Sequence, residues 1–414
     1  MKKILALLLA MCMVFALAAC GSSSNSAPAA EEPAAEEAAP AEEAAVEEAA
    51  PAEEPAAEEE PAPAEEAPAA SDMSVAMITD YGDITDQSFN QTTYEACKEY
   101  CDANGIDFSY FKPASDSDED RVAMIESAID NGYNVIVMPG YAFANAIKET
   151  AGTYDDVIFI ALDVGAGDFG DDYEIPANLF SAVYQEELCG YMAGYAAVKL
   201  GYTKLGFLGG MAVPAVVRYG YGFVQGVDAA AAELGLDDVS INYAYGNQFY
   251  GDADITAAMD TWYADGIEVV FACGGGIYTS AAEAAQKVDG KVIGVDVDQA
   301  AIIDGTYGEG MTVTSAMKGL AATVKTLLSE VQAGNFASYG GQIQNLGLVS
   351  ENPEENYVQI PVASTQFDDN FTEADYEALV ADMFSGAVTV SNDIEASASD
   401  FATVISVNDL GNIK

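Results

Sequence analysis

Residues 269–298, VVFACGGGIYTSAAEAAQKVDGKVIGVDVD, contain a strand, a helix and a second strand in the order that decides the fold. VVFACGGG and KVIGVDVD are continuous apolar runs that end in glycines or aspartates, and YTSAAEAAQKVDG between them has the composition of a helix. Strands that are apolar on both faces and joined by helices are typical of parallel sheets covered by helices on each side. The stretch therefore predicts one βαβ unit of an α/β fold.

The same alternation continues along the chain in two series of similar size. The first series begins with the strand SVAMITD and includes NVIVMPG and VIFIALD, and the second begins with KLGFLGG. Two such series predict two doubly wound, Rossmann-like lobes rather than one large sheet. We place residues 73–184 and 312–340 in lobe 1, and residues 185–311 and 341–414 in lobe 2.

The carboxyl ends of the strands are rich in glycine and aspartate, as in ITD, MPG, ALD, LGG, CGGG and GVDVD. Ligands of doubly wound folds bind at this edge. Asp296 would face the crevice there, where a carboxylate can accept two hydroxyl groups of a sugar. Glycines 274–276 form either a bare tight turn or a site whose free backbone N–H groups bind an anion or a hydroxyl.

Phe89 lies in the segment GDITDQSFNQTTYEA, a polar turn that opens a helix. The helical stripe that starts at Phe89 continues through Thr93, Ala96, Cys97 and Tyr100. This spacing favours Phe89 as a first core contact, and Ser88 with Gln91 matches a capping box. The turn also follows a strand that ends in Asp80, which favours Phe89 as a ligand platform. Both interpretations stay open from the pattern.

The charge balance narrows the possible functions. The chain has 68 acidic and 14 basic residues, a net charge of −54, and no histidine. Such an acidic surface repels nucleic-acid backbones, so we expect no nucleic-acid partner. Without histidine, Ser-His-Asp and Cys-His catalysis and His-ligated zinc are excluded. We expect a binding protein without enzymatic activity, cofactor or metal. Lys318, which begins a helix after a strand, is either a site cation or a surface charge.

The N-terminus, MKKILALLLAMCMVFALAAC, has two lysines, a short apolar run and small residues before Cys20. This pattern predicts an export signal at residues 1–20 rather than a membrane span. Its LAAC ending resembles a bacterial lipobox, in which the cysteine is lipidated; an ordinary secretory signal is the alternative. Residues 21–72 consist largely of Ala, Glu and Pro and predict a disordered tether. Two acyl chains would anchor the protein to the outer face of the cytoplasmic membrane.

The motifs DITDQSFN and KLGFLGGMAVP, in this order and with AGYAA and VIGVDVDQ, resemble the basic membrane protein family. These proteins are ABC-transporter substrate-binding lipoproteins, and the understood members bind purine nucleosides. The resemblance implies a type I periplasmic-binding-protein fold, in which a three-stranded hinge joins two lobes that close on the ligand. It also implies a nucleoside ligand, an ABC permease with its ATPase as partners, and a monomer.

The resemblance further implies the site. Phe89 and Phe249 would stack on the two faces of the base, each contributing roughly 1–3 kcal/mol, and Tyr250 is the alternative to Phe249. Asp80 would bind the base edge, and a further base contact is expected within residues 141–145. The ribose hydroxyls would be held by Asp296, Lys318 and the backbone around Gly275. Another neutral solute such as a sugar, or a role as surface receptor or adhesin, are the alternative functions.

Overall fold

The computed structural model describes residues 72–170 and 172–414. The predicted export signal with Cys20, and the predicted tether apart from its last residue, lie outside this part of the chain. Within it, no helix combines the length and the apolar character that a bilayer span requires.

Six parallel strands form the first sheet. They are β1 (Ser74–Ile78), β2 (Asp107–Phe111), β3 (Val135–Pro139), β4 (Ile158–Leu162), β5 (Leu179–Tyr184) and β11 (Gln342–Leu346). Their spatial order is β11-β5-β4-β3-β1-β2. The central strands are Val- and Ile-rich and buried on both faces because helices cover both sides of the sheet. These helices are α1 (Phe89–Asn104), α2 (Asp118–Asp130), α3 (Ala144–Thr150), α4 (Ala166–Phe169) and α10 (Leu320–Gln332).

Seven strands form the second sheet. They are β6 (Lys204–Gly209), β7 (Ser240–Tyr245), β8 (Val269–Cys273), β9 (Lys291–Asp296), β10 (Thr312–Lys318), β12 (Val358–Gln359) and β13 (Ser406–Asn412). Their order is β12-β10-β9-β8-β6-β7-β13, and all pairs are parallel except β10 with β12. The accompanying helices are α5 (Glu186–Lys199), α6 (Pro214–Leu234), α7 (Ala253–Ala264), α8 (Tyr278–Ala285), α9 (Ala300–Tyr307) and α11 (Glu373–Phe384).

The predicted α/β class with two doubly wound sheets is confirmed. Residues 269–298 form β8, α8 and β9, and β8 pairs in parallel with β9. Over its described residues, the chain passes between the two sheets three times: after β5, after β10, and between β11 and β12. These crossings correspond to the three-stranded hinge that the resemblance implies.

The lobe boundaries differ from the expected ones at two strands. Residues 312–340 are expected in lobe 1, but β10 pairs with β9 and extends the second sheet. Residues 341–414 are expected in lobe 2, but β11 pairs with β5 in the first sheet. Of the segment between them, α10 belongs to lobe 1 because it packs against α1. The sequence pattern does not indicate which sheet a strand joins. The observed lobe boundaries therefore differ from the expected ones at β10 and β11.

Helices α5 and α6 pack with their backbones in contact. Gly190 and Gly194 of α5 face α6, and Gly222 and Gly226 of α6 face α5. A Cβ atom at any of the four positions would collide with the backbone of the opposite helix. Small residues are therefore required here, and the close approach holds the first turns of both helices beside the strand ends.

Candidate functional site

A cavity of about 850 Å³ lies between the carboxyl ends of the two sheets. Its walls come from both lobes, as expected for a doubly wound fold that binds its ligand at this edge. All six residues predicted for the site line it: Asp80, Phe89, Phe249, Gly275, Asp296 and Lys318.

The turn before α1 is built around Asp86. The carboxylate of Asp86 accepts hydrogen bonds from the backbone N–H groups of Ser88, Asn90 and Gln91. The capping box expected from Ser88 and Gln91 is wrong, since the Ser88 side chain makes no cap hydrogen bond. Instead, the Ser88 hydroxyl of the first lobe donates to Oδ2 of Asp296 in the second lobe, at 2.7 Å. A residue expected to shape the turn therefore links the lobes.

Phe89 satisfies both interpretations of its sequence position. Its ring is half-buried and packs against the core of lobe 1, as the helical stripe predicts. It also lines the cavity, where the Nζ atom of Lys318 lies 4.7 Å from the ring centroid. An ammonium at this distance interacts favourably with an aromatic face. Phe89 is thus held from the core side and reachable from the cavity.

Phe249, which lines the cavity from the second lobe, packs against Gly210 and Gly274. A Cβ atom at Gly210 would collide with the Phe249 ring at 2.4 Å, and one at Gly274 would crowd the ring at 3.0 Å. The ring centroid of Tyr81 lies 6.5 Å from that of Phe249, at an interplanar angle of 34°. Tyr250 also lines the cavity but is 61% exposed. The packing favours Phe249 over Tyr250 as an aromatic platform, and Tyr81 is an aromatic neighbour that the sequence did not indicate.

Asp80 lies two residues beyond the end of the first strand, with one carboxylate oxygen occupied and one free. Oδ1 accepts hydrogen bonds from the backbone N–H groups of Tyr81 and Gly82, each at 2.6 Å, while Oδ2 receives none from a described residue. Burial raises the pKa of Asp80, and these N–H groups oppose the rise. Within residues 141–145, Tyr141 lines the cavity, whereas Asn145 donates to Asp118 outside it. Tyr141 is therefore the member of this segment that can reach a ligand.

Lys318 is the centre of a buried charge network. Its Nζ atom lies 2.5 Å from Asp163, 3.4 Å from Glu186 and 3.6 Å from Asp296, and its side chain is only 3% exposed. Burial alone would lower the pKa of Lys318, but the three carboxylates outweigh it and raise the pKa above its usual value. The lysine is therefore charged at neutral pH. The alternative of a solvated surface charge is wrong.

The network includes acidic and basic groups that sequence reasoning did not select. Arg218 of α6 donates through Nε to Glu186 at 2.7 Å. Burial raises the pKa of Asp163 to about 6, although Lys318 opposes the rise. Tyr219 donates its hydroxyl to Oδ1 of Asp296 at 3.2 Å. Asp163 ends the strand VIFIALD, so its position at a strand end was the available signal.

Backbone strain is concentrated around the cavity. Five non-glycine residues among those described have a positive φ, and four of them lie at or beside the cavity: Gln87, Asp163, Asn247 and Asp296. Asp163 and Asp296 adopt φ of 61° and 65° directly at strand ends. Asp and Asn tolerate this left-handed region better than most residues, and such strain clusters at binding sites.

Glu187, next to the network, makes the stability of the fold pH-dependent. Its side chain is buried, and Oε2 has no hydrogen-bond partner among the described residues. Burial, reinforced by Glu186, raises the pKa of Glu187 from 4.5 to about 7. The folded state thus holds the proton more tightly than the unfolded state. This contribution to stability is complete below pH 4.5 and is lost as the pH rises through 7.

We expect Glu187→Gln to increase the free energy of unfolding at pH 8 by up to about 3 kcal/mol, because the neutral amide needs no proton. Near pH 4, where Glu187 is protonated in both states, the variant and the wild type should unfold alike. Urea unfolding at pH 4, 6 and 8 measures the difference. The control is Glu377→Gln on the exposed face of α11, which should change little. A difference independent of pH would contradict the role of Glu187.

Comparison with known families identifies the class of protein. The model of the Bmp family, described as ABC transporter substrate-binding protein PnrA-like, matches residues 73–377. The chain belongs to this family. Bmp-family proteins bind solutes for ABC transporters and are not classified as enzymes. The resemblance seen in the sequence motifs is confirmed.

Individual relatives agree with the family assignment. The ABC transporter nucleoside-binding protein BmpA of Lactococcus lactis is 27% identical over 67% of this chain and 80% of its own length. Basic membrane protein B of Borreliella burgdorferi is 27% identical over 67% of this chain and 78% of its own. An ABC transporter solute-binding protein from Conexibacter woesei has a similar fold, with a TM-score of 0.58 at 22% identity over 77% of this chain and 99% of that chain. These likenesses support the Bmp fold of two lobes.

Proposed function

We propose that this Bmp-family protein captures a purine nucleoside between its two lobes and delivers it to an ABC permease and its ATPase. One observation supports this most directly. The same cavity is lined by two aromatic rings and by a pair of charged side chains that can bind hydroxyl groups. The rings are those of Phe89 and Phe249, and the pair is Asp296 with Lys318. A nucleoside combines a flat base with a hydroxyl-rich sugar, so it matches both surfaces. The Lactococcus lactis relative is a nucleoside-binding protein by name, which supports the same ligand class.

The base would occupy the part of the cavity between Phe89 and Phe249. Every base presents two π-faces, and stacking of one face on an aromatic ring contributes about 1–3 kcal/mol. The free Oδ2 of Asp80 would accept a hydrogen bond from an N–H group on the base edge. Because a carboxylate offers only acceptors, this contact requires a donor on the base.

The ribose would lie over Asp296 and Lys318. Asp296 accepts hydrogen bonds and Lys318 donates them, so together they satisfy a pair of hydroxyl groups. The N–H of Gly275 donates to no described residue, and Gly275 lines the same cavity. Glycine is required at this point because its φ is 52° and because a Cβ atom would lie only 3.1 Å from the carbonyl oxygen of Phe249.

The charges of the cavity favour a nucleoside over a nucleotide. Asp163, Glu186 and Asp296 contact Lys318, and the other two cations that line the cavity are also paired, Arg218 with Glu186 and Lys112 with Asp83. The carboxylates outnumber the cations, so a phosphate carrying up to two negative charges would be repelled. A neutral ligand meets no such penalty.

Closure of the lobes would make the binding selective. Contacts already join the lobes at the cavity, including the Ser88 hydroxyl with Asp296 and the Gln299 side chain with the carbonyl of Gln87 at 3.1 Å. A ligand that touches both lobes binds the closed state more tightly than the open state and shifts the hinge equilibrium. The permease would then recognise the closed, loaded form.

We also propose that Cys20 is lipidated and that a monomer is held on the outer face of the cytoplasmic membrane. ABC-importer substrate-binding proteins act outside the cytoplasm, and the LAAC ending of the predicted signal supports the anchor. Mass spectrometry of the mature protein tests this. A Cys20 N-terminus with a diacylglyceryl group is expected, and an unmodified mature chain would contradict it.

Thermal unfolding with a panel of ligands tests the ligand class. The ligand-free protein is heated with purine and pyrimidine nucleosides, free bases, nucleotides and sugars. A nucleoside at 100 times its Kd should add about 2.7 kcal/mol to the stability of the folded state. Stabilisation by sugars without any nucleoside effect would identify another solute instead. Absence of any shift would favour a receptor or adhesin role.

A further inference from the structure

The cavity continues beyond the groups that a nucleoside would use. At about 850 Å³ it is near the upper end of the 300–1,000 Å³ typical of pockets for larger, drug-sized ligands. The nucleoside contacts proposed above involve one part of its wall. A further part of the wall includes Gly165 and Asp168 of lobe 1 and Val213, Pro214, Arg218 and Ile394 of the rest of the chain. We call this part the second compartment.

The second compartment adjoins the proposed ribose position. Glu186 links the two, since it contacts Lys318 at 3.4 Å on one side and Arg218 at 2.7 Å on the other. Asp163, which pairs with Lys318, precedes Gly165 by two residues in the same loop. A group attached to the 5′ carbon of the ribose could therefore extend from Lys318 towards Arg218.

Arg218 offers unused hydrogen-bond donors to this compartment. Only its Nε atom is engaged, by Glu186, and neither terminal nitrogen donates to a described residue. The side chain is 17% exposed and lines the cavity. The planar end of a guanidinium binds a carboxylate through two parallel hydrogen bonds, so an acid group is the fitting partner.

Asp168 offers a negative charge on the opposite lobe. Its Oδ2 accepts the N–H of Gly165 at 2.7 Å, whereas Oδ1 accepts from no described residue. No direct ion pair joins Asp168 to Arg218 within the described residues, although both line the cavity. Apolar residues, among them Val183, Val213 and Pro214, line the same cavity. The compartment thus presents a cation, an anion and an apolar surface.

We propose that the second compartment binds an α-amino-acid group joined to the 5′ carbon of the nucleoside by a short apolar linker. The carboxylate would bind Arg218, the ammonium would bind Asp168, and the linker would lie against Val213 and Pro214. This inference rests on the proposed nucleoside function and specifies its substrate class.

A zwitterion fits the charges better than the alternatives. A phosphate would meet Arg218 but also the carboxylates of Asp163, Asp168 and Glu186. An apolar substituent alone would leave the terminal nitrogens of Arg218 without an acceptor. A zwitterionic tail satisfies both charged side chains and adds no net charge to an already acidic site.

Calorimetric titration of the ligand-free full chain with adenosine, 5′-methylthioadenosine, S-adenosylhomocysteine and AMP tests the proposal. 5′-Methylthioadenosine and S-adenosylhomocysteine share the thioether and differ in the amino-acid group. We expect S-adenosylhomocysteine to bind roughly tenfold more tightly than 5′-methylthioadenosine, because its amino-acid group makes two charge-assisted contacts. We expect AMP to bind more weakly than adenosine. Equal or weaker binding of S-adenosylhomocysteine would overturn the proposal.

The variant Asp168→Asn tests whether the amino-acid group of S-adenosylhomocysteine binds in the second compartment. The amide oxygen keeps an acceptor for the Gly165 N–H, but the charge is removed, so the affinity ratio of the two thioethers should fall towards one. An unchanged ratio would show that the tail binds elsewhere and would overturn the proposal. If adenosine binds and the tail adds nothing, only this inference fails. If neither the adenosine series nor inosine nor guanosine binds, the proposed function fails with it.

Discussion

Replacing Lys318 with methionine is expected to lower the free energy of unfolding at pH 8 by about 3–5 kcal/mol. The Lys318 ammonium lies within 3.6 Å of Asp163, Glu186 and Asp296, all of them largely buried. Without it, these carboxylates would remain in the interior with Arg218 as the nearest cation. Removing one member of a buried ion network costs more than removing a surface pair because the remaining charges lose their compensation. Urea unfolding measures the change.

Lys325→Met is the matched control for this prediction. Lys325 pairs with Glu99 in an exposed salt bridge, and removing such a pair typically changes stability by less than about 1 kcal/mol. The loss in the Lys318→Met protein should also shrink as the pH falls, because protonation neutralises the uncompensated carboxylates. If Lys318→Met lowers the free energy of unfolding no more than Lys325→Met does, Lys318 does not compensate the buried carboxylates as predicted.

Phe249→Ala is expected to weaken nucleoside binding by about 1–3 kcal/mol, a rise in Kd of roughly 5- to 150-fold. The Phe249 ring lies against Gly210 and Gly274 in the cavity wall, so its loss removes one face of the proposed stack. Tyr250→Ala is the control, since Tyr250 is 61% exposed. Its Kd should stay within about twofold of the wild-type value. Titration calorimetry with inosine measures both variants.

A larger rise in the nucleoside Kd for Tyr250→Ala than for Phe249→Ala would identify Tyr250 as the aromatic platform. Equal and small effects in both variants would show that neither ring stacks on the ligand. Thermal unfolding of the ligand-free variants is needed beside the titration, because Phe249 also packs against the core. A melting temperature close to that of the wild type shows that a loss of binding comes from the site.

The alternation of apolar strands and helices is enough to predict the α/β class and the two lobes. Strands such as β3 and β8 are apolar throughout because both faces are buried, and this pattern is visible without a structure. The sheet that a strand joins is decided by pairing partners far away in the chain. The chain crosses between the sheets after β10 and reaches β11. The predicted assignment of β10 to lobe 1 and of β11 to lobe 2 is therefore wrong.

The site is predictable where a residue ends a strand or lies within two residues beyond its end. Asp80, Gly275 and Asp296 occupy such positions, and all three line the cavity. Glu186 and Arg218 lie on helices whose contact depends on the close approach of α5 and α6, so no local pattern marks them. The Ser88 hydroxyl illustrates a further limit. A capping sequence is present, but a carboxylate 208 residues away accepts the hydrogen bond instead.

Titration of the ligand-free protein with inosine tests most directly whether a nucleoside binds between the lobes. Asp296→Asn is the paired variant, because asparagine tolerates the left-handed backbone of Asp296, with φ of 65°. We predict one inosine per chain, a Kd raised roughly tenfold or more in the variant, and no measurable binding of free ribose at the same concentration. Binding of ribose without inosine, or inosine binding that is indifferent to Asp296→Asn, would contradict nucleoside capture in this cavity.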